Sequence, residues 1–439
     1  MALVLFATPG FTACNNSAPT SSAPSPDETI AATPALSASP ANADASEISI
    51  RYLEAQIRRN PDDFIAHNKL ASYYLQRARE TGEANYIDLA GRAAQSSLDI
   101  LPAEINTEGL AALIRFENAT HDFTRARDHA RELVTLKPDK SESFALLGDA
   151  LLELGDYTEA ARAYARMEQL SDDGDTTAVT RLARQSFLRG DIDAAREYLS
   201  TAVKRLTRNP SSLPETLAWS HWQLGELSFG TGDNAAAERQ YREALAVFPD
   251  YFQATAALAR ARAAQGDLPA AISFYEQATR RFPDPNAVAG LGDLYQLTGR
   301  EREAQTQYNL VEQIARLSQA NNQLYNRQLA LFYADHDLKP DEAYGLAARE
   351  YEARQDIYGA DALAWTALKA GKLPEAQTAI KQALRLGTQD ARLFYHAGMI
   401  ALRAGDKDAG HASLTRALKL NPHFDARQSS IAQQALQEN

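Results

Sequence analysis

Small and apolar residues recur along the chain at helical spacing, in pairs of segments that a short polar stretch separates. In one such pair, Leu147, Gly148 and Leu151 lie on the first segment, and Ala160 and Tyr164 lie on the second. Runs of Val, Ile and Thr with the period of two that indicates β-strands are missing. Beyond about residue 46 the helix-favouring residues Ala, Leu, Arg, Glu and Gln dominate. The pattern therefore predicts paired antiparallel α-helices.

Glycine followed by aspartate marks the turn inside many of the predicted pairs. Glycine adopts the left-handed conformation that ends a helix, and the aspartate side chain caps the helix that follows. Proline after the second helix prevents that helix from continuing. The turns lie at Gly155 and Asp156, Gly190 and Asp191, Gly232 and Asp233, Gly266 and Asp267, and Gly405 and Asp406, and the prolines are Pro138, Pro249, Pro283 and Pro422.

The spacing of these residues resembles the tetratricopeptide repeat, which has a period of about 34 residues. Two adjacent units in register are Leu224, Gly225, Gly232, Ala237, Tyr241 and Ala244, then Leu258, Ala259, Gly266, Ala271, Tyr275 and Ala278. The resemblance implies an all-α fold, a right-handed superhelical solenoid of about ten helix hairpins over residues 64–424. We expect capping helices within residues 47–63 and 425–439, because terminal repeats need a wettable outer face.

The first 14 residues resemble the signal peptide of a bacterial lipoprotein, in which an apolar run and small residues precede a single cysteine, here Cys14. In that family the cysteine is acylated, and its fatty chains anchor the protein to the membrane. Phe11 stands where an aliphatic residue is usual, and no Lys or Arg precedes the apolar run, so an incidental thiol is the alternative. Residues 15–46, rich in Ser, Ala, Pro and Thr, are predicted to be a disordered tether.

Composition and motifs narrow the function classes. The net charge of −12 argues against a nucleic-acid binder, which needs basic surface to displace phosphate counterions. Cys14 is the single cysteine, which excludes a cysteine metal cage, and the eight histidines lack metal-ligand spacing. Neither a glycine-rich phosphate loop nor a nucleophile elbow occurs in the sequence. We therefore predict no catalytic residues, cofactor, metal or small-molecule substrate.

Aromatic residues on the predicted inner face of the repeats are the candidate partner-binding site. They lie on the first helices of the repeats, offset from the Leu-Gly packing positions, and aromatic side chains suit the binding of a peptide or helix. The alternative is that these rings pack on one another. The candidates are Phe187, Trp219, Trp222, Glu226 and Phe229 in one group, and Tyr358, Trp365 and Tyr395 in a second group.

Charged residues of both signs alternate on the same predicted face: Arg115, Arg184 and Arg260 are basic, and Asp149, Glu226 and Asp293 are acidic. This mixture argues against the carboxylate-clamp class of tetratricopeptide domains, which hold a C-terminal carboxylate with Lys, Arg and Asn. The alternative function class is a helical enzyme that uses carboxylates such as Glu226 and Asp293.

The sequence as a whole predicts a non-catalytic scaffold or adaptor that binds other proteins in its concave groove. The resemblance at Cys14 implies a lipid anchor in the cell envelope, in the outer membrane facing the periplasm or at the cell surface. Asn15, where Asp would be the inner-membrane retention signal of that family, favours outer-membrane sorting. A cytoplasmic repeat protein whose start residue is wrongly assigned is the remaining alternative.

Overall fold

The computed structural model describes residues 43–172, 174–320 and 326–438. Twenty-two α-helices follow one another in this part of the chain, and the described residues contain no β-strand. The helices are α1 (Ala43–Arg59), α2 (Phe64–Thr81), α3 (Asn85–Ile100), α4 (Thr107–Ala119), α5 (Phe123–Leu136), α6 (Ser141–Glu153), α7 (Tyr157–Leu170), α8 (Thr176–Leu188), α9 (Ile192–Arg208), α10 (Pro214–Gly230), α11 (Asn234–Val247), α12 (Phe252–Ala264), α13 (Leu268–Arg281), α14 (Pro285–Leu297), α15 (Glu301–Ala320), α16 (Asn326–Asp335), α17 (Pro340–Ala353), α18 (Ile357–Lys369), α19 (Leu373–Ala383), α20 (Ala391–Arg403), α21 (Lys407–Leu420) and α22 (Gln428–Glu438).

Helices α2 to α21 form ten hairpins, each made of an even-numbered first helix and the odd-numbered second helix that follows it. Helix α1 packs before the first hairpin, and α22 packs after the last. The prediction of an all-α array of about ten helix hairpins is confirmed.

The N-terminal helix is longer than the sequence indicated. We placed its start at Glu47, but α1 begins at Ala43, so residues 43–46 are helical rather than part of the tether. The reason is a buried polar contact: Ser46 Oγ donates a hydrogen bond to Glu80 Oε1 at 2.9 Å, and both residues are buried. Cys14 and the remainder of the predicted tether, residues 15–42, lie outside the described residues.

The hairpin of α6 and α7 shows how the residues of the sequence pattern act. Gly148 on α6 faces the ring of Tyr164 on α7, and a β-carbon at Gly148 would lie 2.4 Å from that ring. Asp156 caps α7 by accepting a hydrogen bond from the backbone N–H of Glu159. Because glycine brings the two helices close together and aspartate fixes the start of the second, this hairpin is specified locally.

Hairpins that are far apart in sequence stack at their turns. Tyr157 Oη accepts a hydrogen bond from the backbone N–H of Ile357, 200 residues away, at 2.8 Å. Thr388 Oγ1 donates to the carbonyl of Leu188, and Asn421 Nδ2 donates to the carbonyl of Phe229. In each case the turn of one hairpin meets the connection that follows the fifth hairpin after it.

The array therefore winds into a superhelix whose successive turns touch. One hydrophobic cluster joins α6, α7 and α8 of the first turn to α18, α19 and α20 of the second. Most solenoids rely on contacts between neighbouring repeats alone. In this chain the core also runs from one superhelical turn to the next.

Candidate functional site

The first helices of the hairpins line the inside of the superhelix. Arg79 on α2 reaches Glu215 on α10, four hairpins later, with 3.4 Å between Arg79 Nε and Glu215 Oε2. Arg427, just before α22, likewise reaches Asp293 on α14 at 3.3 Å. We call the side of the first helices on which these side chains meet the inner surface.

Acidic side chains of the inner surface pair with arginines of the next hairpin. Asp149 accepts hydrogen bonds from Arg181 Nε at 2.9 Å and Nη2 at 2.7 Å, and Tyr164 Oη donates to the same carboxylate. Glu226 accepts hydrogen bonds from Arg260 Nη2 and from Tyr241 Oη. Hydrogen bonds between arginine and a carboxylate are strong because both groups are charged, so these pairs fix one hairpin against the next.

A larger charged network bridges two superhelical turns. Glu153 on α6 pairs with Arg184 on α8 and with Arg354, which follows α17. Arg354 also binds Asp356 at 3.0 Å, and Asp356 binds Arg327 at 3.0 Å. Three arginines and three carboxylates form this network, because Arg327 also pairs with Glu350 at 2.6 Å.

Attraction outweighs burial at one member of that network. Burial alone would raise the pKa of Glu153, but Arg184 and Arg354 hold the pKa of its carboxyl well below the ordinary value. Glu350 shows the opposite balance, because burial raises the pKa of its carboxyl and Arg327 only partly offsets the effect. The network is therefore strongest at Glu153, where the two turns meet.

The acidic residues of the second turn have histidine partners as well. Asp293 contacts His336 Nε2 at 2.8 Å and accepts a hydrogen bond from Tyr308 Oη at 2.9 Å. Burial lowers the pKa of His336, yet the hydrogen bond to Asp293 outweighs it and raises the pKa above the ordinary value. A second buried pair joins His396 Nδ1 to Asp361 at 2.8 Å.

The contacts of the inner carboxylates bear on the alternative that the chain is a helical enzyme. Glu226 and Asp293, the two carboxylates on which it depended, each accept hydrogen bonds from a tyrosine and pair with a cationic residue. A catalytic carboxylate must be free to reach a substrate proton or atom. The arrangement thus favours a structural role for both carboxylates. Among the described residues, no group of three His, Cys, Asp or Glu has the geometry to hold a metal ion.

Most of the predicted partner-binding residues are buried in packing contacts. Trp219, Glu226 and Phe229 are at most 6% exposed, and Trp365 and Tyr395 are at most 2% exposed. The ring of Trp365 lies 5.5 Å from that of Tyr395 between centroids, and its Nε1 donates to a carboxylate, that of Asp335, at 2.8 Å. The structure thus corresponds to the alternative in which the rings pack together.

The other three candidates are partly accessible. Trp222 lies edge-on to Tyr251, with 6.3 Å between ring centroids, and Tyr358 Oη donates to Asp390 at 3.3 Å. Phe187 borders a cluster that contains Leu199 and Leu224. The two predicted groups lie in separate clusters, so the structure does not bring them together into one open aromatic surface.

The C-terminal residues on the inner surface were missed in the sequence. We interpreted residues 425–439 as a polar cap, yet Arg427 binds Asp293, and Gln428 Nε2 donates to Asp335 Oδ1 at 2.5 Å. Asp425 caps the start of α22 by accepting hydrogen bonds from the backbone N–H groups of Arg427 and Gln428. Contacts with helices three and four hairpins earlier leave no trace in the local sequence pattern.

Comparison with known families identifies the type of repeat in part of the array. A family model described as "Tetratricopeptide repeat" matches residues 119–175, 216–286 and 362–423. These three stretches contain tetratricopeptide repeats. It is also similar to the "TPR repeat-containing protein YpiA" of Bacillus subtilis (strain 168), with 22% identity over 358 residues, which cover 75% of this chain and 71% of the relative. Tetratricopeptide repeats generally bind other proteins, so these repeats support a role as a protein–protein interaction scaffold.

Two solved structures show partial similarity to this chain. The "Crystal structure of APC/C hetero-tetramer Cut9-Hcn1" covers 90% of this chain and 93% of its own, with 14% identity and a TM-score of 0.33. The "Crystal structure of MamA" covers 38% of this chain and 94% of its own, with 18% identity and a TM-score of 0.31. None of the helices described in this chain is sufficiently long and apolar to span a bilayer.

Proposed function

We propose that the chain is a non-catalytic scaffold that holds partner proteins at the inner surface of its superhelix and is tethered to a membrane of the bacterial envelope through acylated Cys14. The observation that carries the scaffold role is the repeat array itself. Its inner carboxylates and arginines bind one another between hairpins, which stabilises a fixed surface. A fixed, curved surface suits the recognition of a peptide or helix, because little ordering is required on binding.

Site-specific photo-crosslinking in the native host tests the scaffold role. A photoreactive amino acid at Trp222, on the inner surface and partly accessible, is expected to give discrete crosslinked partner bands. Arg239, exposed on the second helix α11, is the matched control position and is expected to give none of these bands. Identical bands from both positions, or bands from Arg239 alone, would place the binding surface elsewhere.

The membrane tether is supported by the lipoprotein-like sequence that ends at Cys14 and by the Ser-, Ala- and Pro-rich segment after it. Several acyl chains hold a protein stably at a bilayer, whereas a single chain gives only reversible binding. Cys14→Ser is expected to move the protein from the membrane fraction to the soluble fraction, and metabolic labelling with a fatty-acid analogue should disappear with it. Unchanged membrane retention of Cys14→Ser would reject the tether.

A further inference from the structure

The segment Phe424–Gln428, which leads from α21 into the first residue of α22, crosses the inner surface of four successive first helices. The ring of Phe424 lies against Tyr395 on α20, with 5.5 Å between centroids. Asp425 pairs with Arg392 on the same helix at 3.2 Å. Further along the segment, Gln428 reaches α16 and Arg427 reaches α14.

The side chains of this segment contact groups of complementary charge or polarity on the inner surface. Phe424 is 8% exposed and completes an aromatic cluster with Trp365 and Tyr395. The guanidinium of Arg427 meets the carboxylate of Asp293. The side-chain amide of Gln428 and the indole N–H of Trp365 both donate to Asp335 Oδ1, so that this partly buried carboxylate has two donors.

We propose that this part of the inner surface, from α14 to α20, is a peptide-binding site that the chain fills with its own Phe424–Gln428 segment. The partner it fits is a peptide that presents an aromatic residue, a carboxylate, a basic residue and an amide donor in that order. Such a peptide displaces the segment together with α22. The proposal rests on the scaffold role proposed above and names the class of ligand for one region of the inner surface.

The helix that follows the segment is held mainly by small side chains, and Leu436 adds a larger, partly buried contact with the same cluster. Helix α22 has 11 residues, and it buries Ala432 and Ala435 against the cluster, whereas Ile431 on its other face is 38% exposed. A helix of this length is marginal in water without packing partners. Release of the segment therefore also releases α22, and a competing peptide has few large apolar contacts to replace.

A labelled synthetic peptide of residues 422–438 serves as the probe, measured by fluorescence anisotropy against the full chain. The double variant Phe424→Ala with Arg427→Ala weakens the internal segment, and Gln433→Ala, on the exposed face of α22, is its matched control. We expect the double variant to bind the peptide at least tenfold more tightly than the unaltered chain and Gln433→Ala do. Adding Asp293→Asn to the double variant is expected to weaken its binding of the peptide at least tenfold relative to the double variant alone.

Equal affinity of the peptide for the unaltered chain and the double variant would overturn the proposal, as would equal binding of a scrambled peptide. If circular dichroism shows that the double variant loses more helix than the 11 residues of α22, the test is made by hydrogen exchange on the unaltered chain. Excess peptide should then accelerate exchange of residues 424–438 alone, and unchanged exchange would reject displacement. Crosslinking from Trp222, in the first superhelical turn, tests the scaffold role independently, so the two proposals can fail separately.

Discussion

The backbone of Gly155 lies so close to Gln355 that a β-carbon on Gly155 would be 2.2 Å from the carbonyl oxygen of Gln355. Gly155 has a φ of 77°, in the left-handed region. Gly266 occupies the same position in its own hairpin, with a φ of 83°, but a β-carbon there would have no neighbour within 4 Å. The two glycines therefore share a backbone conformation and differ in whether a second superhelical turn lies against them.

This difference predicts unequal effects of the same substitution. Gly266→Ala should cost about 1 kcal/mol, because alanine in the left-handed region is strained. Gly155→Ala should cost about 3 kcal/mol, because the added methyl group also pushes the carbonyl of Gln355 away. Urea unfolding followed by circular dichroism measures both free energies. Equal losses would show that the turns do not touch at Gly155 in solution.

Arg354 connects Glu153 of the first turn to Asp356 of the second. Arg354→Met should lower the free energy of unfolding by about 3 kcal/mol, because it leaves buried carboxylates with one cationic partner fewer. Arg300→Met, which removes an exposed pair with Glu303, is the control and should leave the free energy of unfolding nearly unchanged, because solvent screens exposed ion pairs. A similar small loss for both variants would contradict a stabilising role of the network.

We expect His121 to make the stability of the chain depend on pH. Burial, with a contribution from nearby Arg354 and Arg327, lowers the pKa of His121 to about 3, although Glu153 and Asp356 act in the opposite direction. Below its ordinary pKa of 6.5 the unfolded chain therefore binds a proton that the folded chain does not. Stability should fall as the pH is lowered from 6.5 towards 3.

His121→Asn removes this proton while keeping a residue that tolerates the φ of 62° at this position. Between pH 6.5 and 4 the free energy of unfolding of the unaltered chain should fall by about 2 kcal/mol more than that of the variant. One pKa unit corresponds to about 1.4 kcal/mol, and the solvent contact that the ring retains reduces the effect. Urea unfolding at both pH values gives the comparison. Parallel pH profiles for the two chains would exclude His121 as the source.

The three tryptophans should differ in their access to solvent. Trp219 and Trp365 are 6% and 2% exposed, whereas Trp222 is partly exposed. In variants that retain one tryptophan, with phenylalanine at the other two positions, acrylamide should quench the fluorescence of Trp222 at least threefold more efficiently than that of Trp365. Efficient quenching of Trp365 would mean that the Phe424–Gln428 segment does not cover the inner surface.

Local features of the fold were predictable because they depend on residues within one hairpin. Gly148 and Tyr164 lie 16 positions apart, and the fit of the ring against the glycine follows from the geometry of two adjacent helices. Asp156 caps the helix that starts at the next residue. Even the pairing of Asp149 with Arg181 could have been read from the spacing, since an acid and a base 32 residues apart occupy successive hairpins.

The contacts between superhelical turns were not predictable in this way. Whether Gly155 meets Gln355 depends on small rotations that accumulate over five hairpins. The same accumulated rotation determines whether Trp365 faces an open groove or packs beneath Phe424. The sequence pattern assigned Trp365 to the inner face of its helix, but the curvature that buries it arises from the whole array.

Contact between superhelical turns also restricts how such a chain can change in length. Repeat arrays commonly gain or lose a unit by duplication or deletion, because each unit needs only its neighbours. Loss of one hairpin between Tyr157 and Ile357 would bring a different connection opposite each turn. The backbone N–H of Ile357 would then lose its hydrogen bond to Tyr157 Oη. We therefore expect the number of hairpins between these two residues to be preserved among descendants of this gene, even where their sequences diverge.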